Sequence, residues 1–540
     1  MLERAVSFLG LLALLAIAWA FSKHRHAVRP RTVIWGMSLQ LLFALIILGG
    51  PEVSRAGFFI LVFLVVLYFA DASWWPATGP GESSWRRLAL VVASTLVGCG
   101  VVIAAAYATT PVGVAPVVLG IAVIVWLTGV ALGRAQVARG GVAATALVGF
   151  GVLWAKGIGG RELFQNLAAG VSDFLGLANA GAVFMFGNLA DPAHFESNDA
   201  MWPGFGFQFA FTVLPTIIFF SAFMAVLYQL GIVQVVVAAM ARFMRWSLGT
   251  SGSETLSCSA NVFVGQTEAP FLIKPFLNQM TLSELHAVMV GGFATIAGGV
   301  LAGYIGMGVD AGHLIAASVM SAPAALVIAK LLYPETEPSH TAGEVEMPPG
   351  ETADNVVGAA AKGTEDGLKL ALNVGAMLIA FIALIAVVDV LFAFADRWID
   401  GALLGGALLA EGGHAGIVPH SLQAFFGWVL RPLAWIMGVP WHDADLIGYL
   451  LGVKLAASEF VAYGLLAVYI EQGQLEPRSA IIGTYALCGF ANFASIGIQI
   501  GGIGALAPAR RADLAKVAVR AMFGGALASF TTATVAGILL

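Results

Sequence analysis

The sequence predicts an all-α polytopic membrane protein with inverted internal repeats and about twelve full spans. Three observations predict it. The first is charge: 26 basic and 31 acidic residues in 540 make 11% of the chain, well under the roughly 25% of an ordinary soluble domain. The second is a mean hydropathy of +0.90, which excludes a soluble enzyme. The third is a repeated small-residue motif, 292–298 and 489–495, taken up below.

The apolar stretch Met1–Ala20 ends in Ala-Trp-Ala, like a signal peptide. Lys23, Arg25, Arg29 and Arg31 follow it, however, and positive charge stays in the cytoplasm. It reads instead as an uncleaved first span running from outside to inside. A span takes about 20 apolar residues, and further candidates lie near 32–50, 55–72, 87–108, 113–133 and 141–157. The basic loops 22–31, 72–87 and 134–140 alternate as cytoplasmic loops should. Residues 160–187 carry Arg161, Glu162, Gln165, Asn166 and Asp173 at helical spacing, an amphipathic helix lying at the interface. A polar loop, 188–204, follows it.

Spans return at about 207–232, 284–306, 312–333, 368–392, 478–507 and 514–538. The stretch 239–280, interrupted by Glu254, Gln266, Glu268 and Lys274, is no simple span, and neither is 443–473. Between them lie a hydrophilic loop, 334–367, and an amphipathic stretch, 395–442. Both termini are expected outside. A net charge of −5 and a pI near 6.0 offer no basic surface for a nucleic acid polymer. Cys99, Cys258 and Cys488 stand too far apart to suggest a disulfide framework or a thiolate metal site.

The repeat carries the chemistry. Residues 292–298 read Gly-Phe-Ala-Thr-Ile-Ala-Gly, and 489–495 read Gly-Phe-Ala-Asn-Phe-Ala-Ser. Each follows an interrupted segment holding a glutamate, Glu268 at a spacing of 24 and Glu459 at 30. The two segments enter from opposite sides, as in secondary transporters, whose broken helices build a site near the bilayer midplane. A carboxylate there costs at least ~2.5–3.5 kcal/mol, so it should face protein or water. Glu268 and Glu459 accept hydrogen bonds, while Gln266, Thr267, Asn492 and Ser495 donate and accept. No arginine stands near them, which disfavours an anionic substrate and suits a neutral, hydroxyl-rich, partly aromatic solute. Phe293, Phe490 and Phe493 would stack on such a ring or simply pack. Lys274 and Lys454, toward the ends of their segments, read as snorkelling. Asn261 and Thr295, with carbonyls freed at a helix break, make hard oxygen ligands for sodium, although the Thr295 hydroxyl would equally bond back to its own helix.

At these residues the sequence resembles the concentrative nucleoside transporters. Asn261-Val-Phe-Val-Gly-Gln-Thr-Glu-Ala-Pro-Phe271 is similar to the family's first re-entrant hairpin. Ser458-Glu-Phe-Val-Ala-Tyr463 and Cys488-Gly-Phe-Ala-Asn-Phe-Ala-Ser-Ile-Gly497 resemble its second hairpin and broken seventh helix, and Phe184–Gly187 and Lys369–Phe381 fit as well. The likeness covers 1–50 and about 158–540. The segment 51–157, four extra hydrophobic helices, has no counterpart recognised in the bacterial relatives. The resemblance implies two re-entrant hairpins, near 249–280 and 443–473, and two broken transmembrane helices. It implies a transporter core at 207–540, preceded by an interfacial helix and loop at 158–206.

For function, the resemblance implies nucleoside import across a bacterial inner membrane. The driving force would be cotransport with sodium or protons, in a homotrimer of elevator-like protomers that needs no other cofactor. By this likeness Gln266, Thr267 and Glu268 would meet the nucleobase, with Val300 and Phe490 facing it. Glu459, Asn492 and Ser495 would hold the ribose, and Asn261, Val264, Thr295 and Ile296 would bind sodium. Thr295 stands where the family has serine. The competing readings are a membrane-embedded enzyme or a channel for a small polar solute. No HExxH or GxSxG motif supports the enzyme.

Overall fold

The structure, a computed structural model, describes residues 2–73, 153, 158–194, 208–341, 353–409 and 413–540. These are helical throughout, with one isolated bridge between Leu408 and His414. Eight helical stretches among them are long and apolar enough to cross a membrane. The chain forms two compact units, one of 1–40 with 168–540 and the other of 41–167.

The first three expected spans are α1 (Leu2–Ala20), α2 (Pro30–Leu48) and α3 (Pro51–Ser73). Proline opens α2 and α3, where a missing N–H costs nothing. In the smaller unit the Ser54 hydroxyl donates to the Ile46 carbonyl at 2.6 Å and accepts from the Arg161 amide at 2.8 Å. The expected spans 87–108, 113–133 and 141–157, with loops 72–87 and 134–140, lie outside the described residues apart from 72, 73 and 153.

Residues 160–187, expected as one amphipathic helix, instead form α4 (Gly160–Gly176) and α5 (Ala178–Phe186). The interruption falls just after Gly176, a weak helix former. Next come α6 (Phe209–Gln229) and α7 (Ile232–Leu248). The interrupted stretch then resolves into α8 (Gly252–Ala260), an irregular bend and two 3₁₀ turns, Ala269–Ile273 and Leu277–Gln279. Ser251 and Glu254 start α8 as a capping box, and Thr281 and Glu284 start the next helix the same way.

The stretch 284–306 is two helices, α9 (Leu282–Ala294) and α10 (Gly298–Gly306). The 13 residues of α9 reach about 20 Å, short of the ~30 Å hydrocarbon core. After α11 (Ala311–Leu332), the loop expected over 334–367 is shorter, because α12 (Val356–Asp396) takes its last twelve residues. Asn355 caps α12 at the Gly358 amide, and a Glu365–Lys369 pair one turn apart supports its polar start.

Beyond α12 the chain runs through a π-helical turn, Arg397–Leu403, to α13 (Leu422–Ile436). Then α14 (Ala444–Ala456) and α15 (Glu459–Glu471), 13 residues each, pack on one another across a two-residue joint. The stretch 478–507 is again two helices, α16 (Pro477–Leu487) and α17 (Phe493–Leu506), before α18 (Arg511–Leu539) closes the chain.

The core of the larger unit lies along α11 and α18. Their apolar stretches are 89% and 78% buried, whereas that of α12 is wholly unburied. Both core helices are rich in Ala, Gly, Ser and Thr, so neighbouring backbones come close. Gly525 of α18 is one such point, where a Cβ would lie 2.3 Å from Phe293 Cβ.

Candidate functional site

The two breaks in α9–α10 and α16–α17 meet. Gly489, in the second break, has φ +110°, and a Cβ there would lie 2.5 Å from the Phe293 carbonyl oxygen in the first. Only glycine permits that backbone and that approach.

On the second-break side the Glu459 carboxylate is buried, with 4% exposure, in the first turn of α15. Asn492 Nδ2 donates to its Oε2 at 2.8 Å, and the Tyr304 hydroxyl reaches Oε1 at 3.4 Å. Asn492 also caps α17, its Oδ1 accepting from the Ser495 amide at 2.8 Å. One carboxamide therefore both starts a helix and holds a carboxylate. The helix dipole of α15 favours negative charge at that end.

Gln266, from the bend after α8, reaches the same region. Its Nε2 donates to Ser495 Oγ at 3.4 Å, and its Oε1 accepts from Gln499 Nε2 at 3.0 Å. Thr267 packs against Gly502 of α17. The structure thus brings Gln266, Thr267, Glu459, Asn492 and Ser495 around the facing ends of α15 and α17. Val300 is buried in α10, and Phe490 is half-buried beside Gly489.

Glu268, expected to face protein or water, is exposed in the bend, with its carboxylate folded over Gly265. Two expectations need correction. Phe293, a candidate for stacking, is fully buried against α18 at Gly525, and Phe493 is 58% exposed. Lys454, expected to snorkel, is fully buried, and its ammonium donates to the carbonyls of Ala486 at 2.9 Å and Cys488 at 3.2 Å. Those carbonyls are freed at the end of α16 and compete successfully with water for the charge.

The expected ion ligands surround the first break. Asn261 caps α8, its Nδ2 donating to Ser257 O at 3.1 Å, while its buried Oδ1 has no hydrogen-bond partner. The Thr295 hydroxyl donates to Gly291 O at 2.9 Å, leaving its lone pairs free to accept. The bend and the break are neighbours: a Cβ on Gly298 would lie 2.8 Å from the Phe263 carbonyl oxygen, and one on Gly291 would lie 3.5 Å from Asn261 Nδ2. Val264 and Ile296 belong to these two segments, Ile296 buried and Val264 half-buried.

Gln499, Tyr304 and the cationic role of Lys454 escaped the sequence reading. Gln499 had a signal. Asn492, Ser495 and Gln499 recur at the spacing of one helix face.

Comparison with known proteins covers the same segments. The family model for the C-terminus of Na+ dependent nucleoside transporters matches 313–537, which includes Glu459, Asn492 and Ser495. A nucleoside-recognition gate model matches 210–311, which includes Asn261 to Val300. The transporters' N-terminal model matches 9–69 and so runs over most of α3, the first of the segments read as having no counterpart.

A transporter of Haemophilus influenzae is 44% identical over 397 residues, 73% of this chain and 89% of that protein. The mouse sodium/nucleoside cotransporter 1 is 42% identical over 395 residues, 70% of this chain, which spans just over half (56%) of that longer protein. The solved transporter CNTnw, in an inward-facing substrate-bound state, superposes with a TM-score of 0.72 at 32% identity, covering 99% of this chain and 98% of its own. A CNTnw variant in an outward-facing state also matches at 0.72, with 31% identity and coverage of 100% and 98%. These relatives are transporters, so the enzyme reading falls. Paired helix breaks, a buried glutamate between them and family models spanning both leave one assignment: the chain is a multi-pass membrane transporter of the concentrative nucleoside transporter family.

Proposed function

We propose that the protein imports nucleosides across a bacterial inner membrane, with both termini outside, by cotransport with sodium. The observation that carries this reading is the buried Glu459–Asn492 pair facing Gln266 and Ser495. A nucleoside has ribose hydroxyls that a carboxylate and a carboxamide bind well, and a base whose edge a glutamine pair reads. Gln266, held by Gln499, would meet that edge together with Thr267 and Glu268, while Val300 and Phe490 would line the ring's faces. Glu459, Asn492 and Ser495 would take the ribose. The absence of charge on the solute is matched by the lack of an arginine in this set.

Sodium would sit at Asn261 Oδ1, Thr295 Oγ1 and the carbonyls of Val264 and Ile296. Support comes from the buried, unpartnered Asn261 oxygen and from the sodium dependence in the family's description. Proton coupling is the second reading, since Thr295 replaces the family's serine. The ion-binding bend carries Gln266 and Thr267 as well, so an ion that orders the bend also orders the base site. Elevator-type movement within a homotrimer belongs to the same proposal, on the strength of the family likeness. The inward- and outward-facing structures of CNTnw support two access states.

The test is uptake of labelled uridine and adenosine into proteoliposomes, with sodium replaced by choline at two pH values. Sodium-driven, saturable uptake at both pH values is expected. Uptake that follows only a proton gradient would move the coupling to protons, and gradient-independent, non-saturable flux would indicate a channel.

A further inference from the structure

The two breaks are completed in different ways. In the first, the buried Asn261 oxygen has no donor, and the Thr295 hydroxyl turns to Gly291. In the second, an ammonium is already in place. Lys454 Nζ donates to Ala486 and Cys488 carbonyls, lies 5.7 Å from the Phe530 ring centre and is fully buried. The Ser529 hydroxyl also donates to the Cys488 carbonyl. A helix C-terminus attracts a cation through its freed carbonyls and its dipole.

The repeats place these features in register. Asn261 stands seven residues before Glu268, and seven before Glu459 stands Gly452, which has no side-chain oxygen. A Cβ on Gly452 would lie 2.1 Å from the Phe426 ring, so no ligand fits there either. Five residues before each glutamate stand Phe263 in the first repeat and Lys454 in the second. At these positions the first repeat thus supplies neutral oxygens and no cation. The second lacks the side-chain ligand and supplies the cation.

We propose that Lys454 is a tethered counterpart of the coupling ion: a positioning residue that keeps a cation at the second break. Ion-dependent ordering is then confined to the first break. A fixed charge cannot leave with the substrate, so the ribose side of the site stays assembled through the cycle while the base side assembles with sodium. This inference rests on the sodium-coupled reading above. It adds that Lys454 holds the end of α16 and, through it, Asn492 and Glu459.

The test compares wild type with K454A, which opens space for an ion, and K454Q, which keeps a donor without charge. Uridine uptake is measured against sodium concentration. Wild type should follow a simple saturation curve. K454A should need more sodium and respond more steeply, its Hill coefficient moving from about 1 toward about 2 as a free cation takes the vacated place. K454Q should lose uptake at sodium levels that saturate wild type. Wild-type sodium curves in both variants would overturn the proposal.

Melting of each purified protein in sodium and in choline separates this idea from the transport reading. Extra sodium stabilisation of K454A over wild type supports the tethered cation even if wild type fails to take up uridine. Equal loss of K454A stability in sodium and choline counts against it.

Discussion

Asn492 is bound on both faces of its carboxamide: Nδ2 donates to Glu459 Oε2 at 2.8 Å, and Oδ1 accepts from the Ser495 amide at 2.8 Å. Neither group can turn without breaking the start of α17. The carboxylate is therefore presented in one orientation, with its remaining lone pairs open to a ligand hydroxyl.

Glu459→Gln removes the charge and replaces one acceptor with a donor. Hydrogen bonds to a charged group contribute about 1.5–3 kcal/mol, so the uridine KM should rise about 10- to 100-fold. The same change at Glu52, whose side chain is 86% exposed, should leave KM unaltered. Uptake kinetics with uridine and with 2′,3′-dideoxyuridine distinguish a ribose role. If the ratio between the two substrates is unchanged in the variant, Glu459 does not read the hydroxyls.

Gly489→Ala tests the contact between the breaks. The backbone at φ +110° disfavours any side chain, at a cost on the order of 1–3 kcal/mol. The new methyl would also lie 2.5 Å from the Phe293 carbonyl oxygen. The variant should melt several degrees lower in detergent and lose uptake. Wild-type melting and transport together would mean that the breaks are not held by this contact.

The sequence read well wherever a single residue type decides the outcome. Long apolar runs made α1, α2, α6, α11 and α18 visible, and small-residue motifs marked both breaks. It read poorly where a partner far along the chain decides. Lys454 looked like a snorkelling lysine because nothing local reveals the carbonyls of Ala486 and Cys488, 32 and 34 residues on. Its spacing puts Gln499 on the face of Asn492 and Ser495, but nothing local names its partners, Gln266 and Met289, more than 200 residues back. Glu268 and Glu459 look equivalent in the repeat. Their burial differs because one follows an irregular bend while the other starts a helix. The polar residues 356–367 read as loop because only a narrow face of small residues, Ala359, Gly363 and Gly367, is buried there, the two glycines against α6, and a charge count does not reveal it.

Gln499 fixes Gln266, which the proposed function sets against the base, by donating to Gln266 Oε1 at 3.0 Å and to Met289 O at 3.2 Å. Gln499→Leu keeps the volume and releases Gln266 to rotate. A neutral hydrogen bond contributes roughly 1 kcal/mol, so discrimination between uridine and adenosine should change about fivefold. Competition of each nucleoside against labelled uridine measures it. A ratio identical to wild type would place Gln499 in packing alone.

Away from the site, α8 is anchored by a buried ion pair between Lys330 Nζ and Glu254 Oε2 at 2.6 Å. Lys330→Met leaves Glu254 buried without its countercharge, which costs about 3–5 kcal/mol. The double change Lys330→Met with Glu254→Gln should recover much of that loss. Melting of the two variants in the same detergent decides it, and additive losses would show that the two groups are not coupled.

Thr295 carries the last prediction, because its hydroxyl has two possible uses. It donates to Gly291 O at 2.9 Å, which any serine or threonine in a helix can do, and its lone pairs are free toward the Asn261 bend. If the bond to Gly291 is its whole role, Thr295→Ala costs a little stability and leaves sodium dependence alone. If the oxygen is a sodium ligand, Thr295→Ala should raise the half-saturating sodium concentration about tenfold, the loss of roughly 1.4 kcal/mol of ion binding. Thr295→Ser should restore it, since serine keeps the oxygen and removes the methyl. Asn261→Ala should act in the same direction, because it deletes the buried oxygen that has no other partner. Sodium titrations of uridine uptake for the three variants give the answer. A Thr295→Ala curve that overlies wild type would remove Thr295 from the ion site.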